Sequence, residues 1–172
     1  IGAYQNDGNG SNAGHVRIYQ YASGSWSQLG SDIDGEAASD QSGRSVSMNS
    51  AGDRVAIGAY NNDGTGSSAG HVRIYQYASG SWSQLGADID GEANSDRSGI
   101  SVSMNSSGDR VAIGAYQNDG SASNAGHVRI YEYSSGSWSQ LGADINGEAA
   151  DDYSGPSVSM NSAGDRVAIG AN

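Results

Sequence analysis

Cysteine and phenylalanine are absent from this sequence, and its single proline is Pro156. Without cysteine there is no disulfide framework and no thiol chemistry, although the compartment stays open. Basic residues are scarce: eight stand against nineteen acidic ones, for a formal net charge of −11. Binding phosphates takes a basic footprint, so neither nucleic acid nor anionic lipid is an expected partner. No apolar run approaches a membrane span, no charged-then-apolar signal segment occurs, and membrane insertion is not expected. Helical windows are missing too, because glycine (27 of 172 residues) intrudes wherever apolar residues approach three-to-four spacing.

What is present is repetition. The segment beginning Ile1-Gly2-Ala3-Tyr4 returns at Ile57, at Ile113 and again at Ile169, a period of 56 residues. Repeat 1 covers 1–56, repeat 2 covers 57–112, repeat 3 covers 113–168, and 169–172 opens a fourth. Each repeat carries four stretches with strand character. In the middle copy "SVSMN" alternates Val102 and Met104, and "RVAIGAY" places Val111, Ile113 and Ala115 together. "HVRIYQY" sets Val72 and Ile74 against Arg73, Tyr75 and Tyr77, and "SWSQLGADI" carries Trp82, Leu85 and Ile89. Period-two alternation of β-branched and aromatic residues between glycine turns predicts strands throughout. A repeat near 50 residues with four short strands predicts a propeller blade. The expected fold is therefore all-β: a β-propeller of four-stranded antiparallel blades, seen as an open arc or as half of a six-bladed ring.

Naming the four strands inner, second, third and outer places the loops. Antiparallel order puts the second–third loop ("YNNDGTGSSAG") and the outer–inner loop ("DGEANSDRSGI") on one rim, opposite the tight turns. Comparing the copies singles out the same rim. The first two differ at eight positions (5, 9, 12, 31, 38, 41, 44 and 51), and six of these lie in the two long loops. One position reads Arg44, Ile100, Pro156 and another Gln41, Arg97, Tyr153, which are changes of charge and shape. Loops tolerate drift in any scaffold, yet three diverging sub-sites on one rim would give this pattern. The candidate binding residues are Gln5, Asn9, Asn12, Gln41, Arg44, Asn61, Thr65, Arg97, Ile100, Ser121, Tyr153 and Pro156.

Other candidates weigh less. Asp32, Asp34 and Glu36, echoed by Asp88, Asp90 and Glu92, alternate carboxylates around a glycine and could crowd a calcium ion. The third copy substitutes Asn146, and the spacing is too short for an EF-hand loop, so a polar strand end is the simpler reading. No metal or other cofactor is expected. His15, His71 and His127 recur at a strand start, where holding blade to blade is a simpler role than catalysis, and no enzyme is expected. Trp26, Trp82 and Trp138 could serve as sugar platforms, with strand packing as the alternative.

The stretch "SGRSVSMNSAGDRVAIGAYNNDGTGSSAGHVRIYQY" (Ser42 to Tyr77) resembles the FG-GAP repeat of integrin-α-like β-propellers. Ser42-Gly43 stands for Phe-Gly, Ile57-Gly58-Ala59-Tyr60 for the Gly-Ala-Pro segment, and Gly70 to Tyr75 for the next strand. The Trp82 to Glu92 segment is similar to bacterial-type surface variants with W-x-Q-L…D-I-x-G-E between units. The chain departs from the family at the missing Pro and Phe. It departs again at "NSAGD", where many members hold a calcium loop and this chain keeps one carboxylate (Asp53, Asp109, Asp165). The resemblance implies a non-enzymatic adhesion module, extracellular or at the cell surface, contacting a protein or glycan through its long-loop rim. The alternatives are a purely structural unit of a fibre, coat or designed self-assembling propeller, and a calcium-dependent lectin. The chain starts inside a second strand and stops after another, which predicts association with itself or with further repeats of a longer chain.

Overall fold

The computed structural model describes residues 1–172 and is all-β, with no helix. The first repeat supplies β1 (Gly2–Ala3), β2 (His15–Val16), β3 (Tyr19–Ala22), β4 (Ser25–Gln28) and β5 (Ile33–Asp34). The middle sheet runs β6 (Ser45–Met48), β7 (Arg54–Ala59), β8 (His71–Ala78), β9 (Ser81–Gln84) and β10 (Ile89–Asp90). The third sheet repeats it as β11 (Ser101–Met104), β12 (Arg110–Ala115), β13 (His127–Ser134), β14 (Ser137–Gln140) and β15 (Ile145–Asn146). A last hairpin, β16 (Ser157–Met160) and β17 (Val167–Gly170), closes the chain. The strands form antiparallel sheets of two to five, and no barrel closes.

In the middle sheet β6 pairs β7, and β7 pairs β8 over six residues from Arg54↔Gln76 to Ala59↔His71. The far edge of β8 is shared by β9 and β10. The expected outer strand is thus two strands, because Gly86 takes a left-handed φ of 80° and turns the chain out of the ladder before Ile89 rejoins it. The frame read from Ile57 also cuts through β7: each sheet begins some twelve residues earlier, at the serine-rich β6 or β11.

Alternation gives every sheet two apolar faces, and the faces of successive sheets bury one another. Ala56, Val72, Ile74 and Ile89 of the middle sheet pack on Val102, Met104, Val111 and Ile113 of the third. Val16, Ile18 and Ile33 pack in the same way on Val55 and Ile57. Serines of the "SVS" strands stitch these contacts. The Ser45 hydroxyl donates to the Gly99 carbonyl at 2.8 Å, and Ser47 Oγ accepts the Met104 N–H at 2.9 Å. Gly58 is required at this crossing, since a Cβ there would collide with the Gly99 carbonyl.

Candidate functional site

The two long loops are zipped together along one edge. Ser39 N donates to Ser11 O at 2.8 Å, Gln41 N to Asn12 O at 3.1 Å and Ser42 N to Ala13 O at 2.9 Å, with the same bonds in later copies. Buried acids anchor them: Asp40 accepts from Ala37 N and, at 3.1 Å, from Asn62 Nδ2 of the next sheet. Asn62 Oδ1 accepts the Gly64 N–H, and Asp63 Oδ1 the Ser68 N–H, so the Asn-Asp-Gly runs are turn chemistry.

Within this frame the candidate residues separate. Asn9 Nδ2 donates to Gly35 O and Thr65 Oγ1 to Gly91 O, both at 2.7 Å, so these two lock one long loop to the other. The third-copy equivalent, Ser121, is exposed, as is Gln5. Asn12 holds a left-handed turn whose N–H bonds Asp7. Another set converges. The Tyr60 hydroxyl bonds Gln41 Oε1, and Arg97 lies 5.6 Å from the Tyr60 ring while bonding Asn61 and Gln117. Tyr116 and Tyr153 stack at 6.1 Å, and the exposed Arg44 covers Tyr4 at 5.7 Å. Ile100 and Pro156 are half-buried beside them in the chain. Tyr4, Tyr60 and Tyr116 were not among the sequence candidates, although their recurrence at the second-strand end marks them.

Backbone conformation distinguishes this set. Four positions per repeat hold left-handed non-glycine residues. Three of them take small polar residues: Asn12/Ser68/Asn124, Ser23/Ser79/Ser135 and Ser39/Ser95/Asp151. The fourth holds Gln41 (φ 57°), Arg97 (φ 60°) and Tyr153 (φ 49°). Asn, Asp or Gly tolerate that region best, so large side chains stand where small ones are easier.

A second constellation lies between sheets. His71 Nδ1 sits 3.6 Å from Asp88 and 4.0 Å from Glu36 of the preceding repeat, and Arg73 reaches Glu36 at 3.1 Å. His127 repeats this with Asp144 at 3.8 Å and with Glu92, and its buried Nδ1 has no hydrogen-bond partner. In the first repeat His15 faces Asp32 at 3.5 Å and Asp34 at 4.0 Å. Burial, then the Arg73 charge, pushes the His71 imidazole down to about 4, and burial and Arg129 lower His127 likewise. The hydrogen bond from Arg17 holds Asp32 at about 2.

The weak calcium candidates are thus redistributed: Asp32 and Asp34 meet His15, Asp88 meets Glu36, Glu92 meets Asp144, and Asp90 belongs to no cluster. One nitrogen with two carboxylate oxygens would suit zinc better than calcium. Arg129 nevertheless donates to both Glu92 and Asp144, so the charge a cation would bring is already supplied. Burial works against the charge on Arg129, but its bonds to Asp144 and Glu92 outweigh it and keep the guanidinium protonated.

The tryptophans also act across sheets. Trp82 Nε1 donates to Leu29 O, and Trp138 Nε1 to Leu85 O, each at 2.8 Å, while the rings sit 5.1 Å from Tyr77 and Tyr133. Only Trp26, 68% exposed, is free to act as a platform. No protein-family model matches the chain, and no curated protein matches it.

Proposed function

We propose that the stacked sheets are blades of a β-propeller and that the chain is a non-enzymatic binding module, contacting a protein or glycan through its long-loop rim. The observation that carries this is the left-handed position held by Gln41, Arg97 and Tyr153. Strained, non-glycine backbone concentrates where side chains must be presented. These three differ in charge and shape while the frame beneath them repeats. Their neighbours Tyr60, Asn61, Tyr116 and Gln117 extend the same strip across the sheet boundaries.

The propeller reading is supported by antiparallel inner, second and third strands with a divided outer strand, by face-to-face packing of successive sheets and by inner strands in mutual contact through their serines. The resemblance to FG-GAP repeats adds an extracellular or cell-surface setting. The calcium-dependent lectin is the weaker reading, since arginine fills the carboxylate clusters and Trp82 and Trp138 are tied to neighbouring sheets. The test is a screen against a glycan array and a panel of immobilised extracellular-matrix proteins, followed by the triple variant Gln41→Gly, Arg97→Gly, Tyr153→Gly. Glycine fits the backbone, so the fold should hold while binding falls at least about tenfold, roughly 1.4 kcal/mol. Unchanged affinity would remove the rim from the interaction.

A further inference from the structure

We infer that Arg97 and the amide side chains around it form a carboxylate subsite on the long-loop rim, and that the ligand is a glycan carrying isolated residues of the uronic-acid class. The inference rests on the rim-binding reading and names the chemistry of its partner.

The subsite lies where the long loops of the middle and third sheets meet, and backbone bonds fix its parts across the sheet boundaries. Asn61 N donates to Asp40 O and Gln117 N to Asp96 O, each at 3.4 Å, while Arg97 N donates to Ser68 O at 3.2 Å. The Arg97 carbonyl accepts the Ile100 N–H at 3.1 Å, so the left-handed residue is held on both sides. Its guanidinium lies over the Tyr60 ring and reaches two amides, with Nη1 donating to Asn61 Oδ1 and Nε to Gln117 Oε1 at 3.3 Å. The Tyr60 hydroxyl in turn donates to Gln41 Oε1. All five side chains are half-buried.

These bonds occupy amide oxygens and leave donors over. Arginine carries donors only, so an amide beside it turns its oxygen inward. Asn61 Nδ2, Gln117 Nε2 and Gln41 Nε2 are left without a partner in the chain, and so is Arg97 Nη2. A half-buried group of donors whose amide acceptors are taken selects a ligand that only accepts. A carboxylate at a guanidinium edge is the strongest such partner.

Charge points the same way. The ion pairs of the chain engage Arg17, Arg73, Arg110 and Arg129, and Arg97 takes part in none. Acids of the flanking loops are committed elsewhere. Asp96 accepts from Ala93 N and Asn118 Nδ2, Asp63 from Ser68 N, and Asp119 from Asn124 N. The Arg97 charge therefore lacks a counter-ion in a chain of net charge −11. A dense polyanion would be repelled by the rest of that charge. Carboxylates set apart by neutral sugars escape it, because salt at about 0.1 M screens beyond roughly 10 Å.

The surroundings favour a sugar over a protein. Protein interfaces are built on large apolar or aromatic anchors sunk in a dry centre, whereas the groups that meet at Arg97 are amides and a phenol. Tyr116, next to Gln117 in the chain, stacks on Tyr153 and offers a ring for the C–H face of a sugar. The other copies hold Gln41 and Tyr153 at this position, so the guanidinium sets this sub-site apart from its neighbours.

The test is an NMR titration of the 172-residue chain with methyl β-glucuronide, its methyl ester and methyl β-glucoside, which share a ring and differ in the carboxylate. The glucuronide should shift the side-chain amide signals of Asn61 and Gln117. It should bind at least about tenfold more tightly than either neutral ring, an advantage that shrinks as salt rises. Asn61→Asp supplies Arg97 with a carboxylate of its own and should weaken the glucuronide about tenfold while the melting temperature holds or rises. Arg97→Lys keeps the charge without the planar fork and should lose about threefold or more. Equal binding of the three rings, no glucuronide binding at millimolar concentration, or full binding by Asn61→Asp overturns the subsite. A blocked peptide with one glutamate, bound as tightly as the glucuronide, overturns the choice of a sugar. A neutral ligand lost by the triple rim variant but kept by Asn61→Asp overturns the subsite and leaves the rim reading standing. Glucuronide binding lost with Arg97→Gly, yet indifferent to Gln41→Gly and Tyr153→Gly, supports the subsite without the wider rim.

Discussion

Val46 and Met48 of β6 are 40% and 42% exposed, whereas Val102 and Met104 of β11 are 9% and 7% exposed, although the two strands have the same sequence. The junction before β11 buries eight core residues and that before β6 buries five. Nothing local separates these strands; the difference is whether an inner and a second strand stand in front of them. In a stacked array, burial belongs to the junction between sheets, and each sheet's stability is largely a property of its neighbour.

The largest test of that contrast is Met104→Ala against Met48→Ala. Urea unfolding at concentrations low enough for a single chain should show a loss of about 2–5 kcal/mol for the first and within about 1 kcal/mol for the second. Equal losses in the dilute chain would mean that burial is not set at the junction.

Next comes pH. His71 and His127 are neutral and buried in the folded chain, with imidazoles lowered from 6.5, to about 4 for His71. Between those values the unfolded chain binds more protons, so stability is full above about pH 6.5 and drains as pH falls towards 4, at up to about 1.4 kcal/mol per unit per group. Replacing both histidines with Gln should flatten denaturation midpoints over that window. An unchanged slope would place the acid sensitivity in the carboxylates instead.

Ser103→Ala should cost about 1–2 kcal/mol by orphaning the Met160 N–H. Ser159→Ala should cost nearly nothing in this 172-residue chain, because the Ser159 hydroxyl bonds no neighbouring strand as those of Ser47 and Ser103 do. The smallest effect expected is that of metal. Calcium, zinc or chelator should move the melting temperature by less than about 1 °C, because a ligand bound weakly at a site already filled by arginine stabilises little. A saturable rise of several degrees with zinc would show the His-carboxylate clusters to be metal sites.

Much of this was legible from spacing. Alternation located the inner, second and third strands to within a residue or two, because both faces of each sheet are apolar and glycines mark the turns. The two long loops were placed together because antiparallel order leaves no alternative. The broken outer strand was not legible, since "SWSQLGADI" alternates well enough to read as one piece and only the φ of Gly86 divides it. Partners lying in the preceding sheet also escaped, among them Leu29 for Trp82 and Glu36 for His71. One signal did point to the latter. His, the first Asp and Glu recur in all copies, while Asp90 becomes Asn146, and Asp90 is the carboxylate that joins no cluster.

Identity between β6–β7 and β16–β17 carries a kinetic consequence. A chain that cannot distinguish its copies has more than one correct frame in which to begin, since either hairpin can find β8 with the same bonds. Refolding should therefore pass through shifted frames that skip or loop out a whole repeat, and these escape only by unpairing strands. The substitutions at 41, 44, 97, 100, 153 and 156 lie outside the ladders and cannot break that degeneracy. Rapid dilution from denaturant should give slow, concentration-independent phases even though proline isomerisation is confined to one bond.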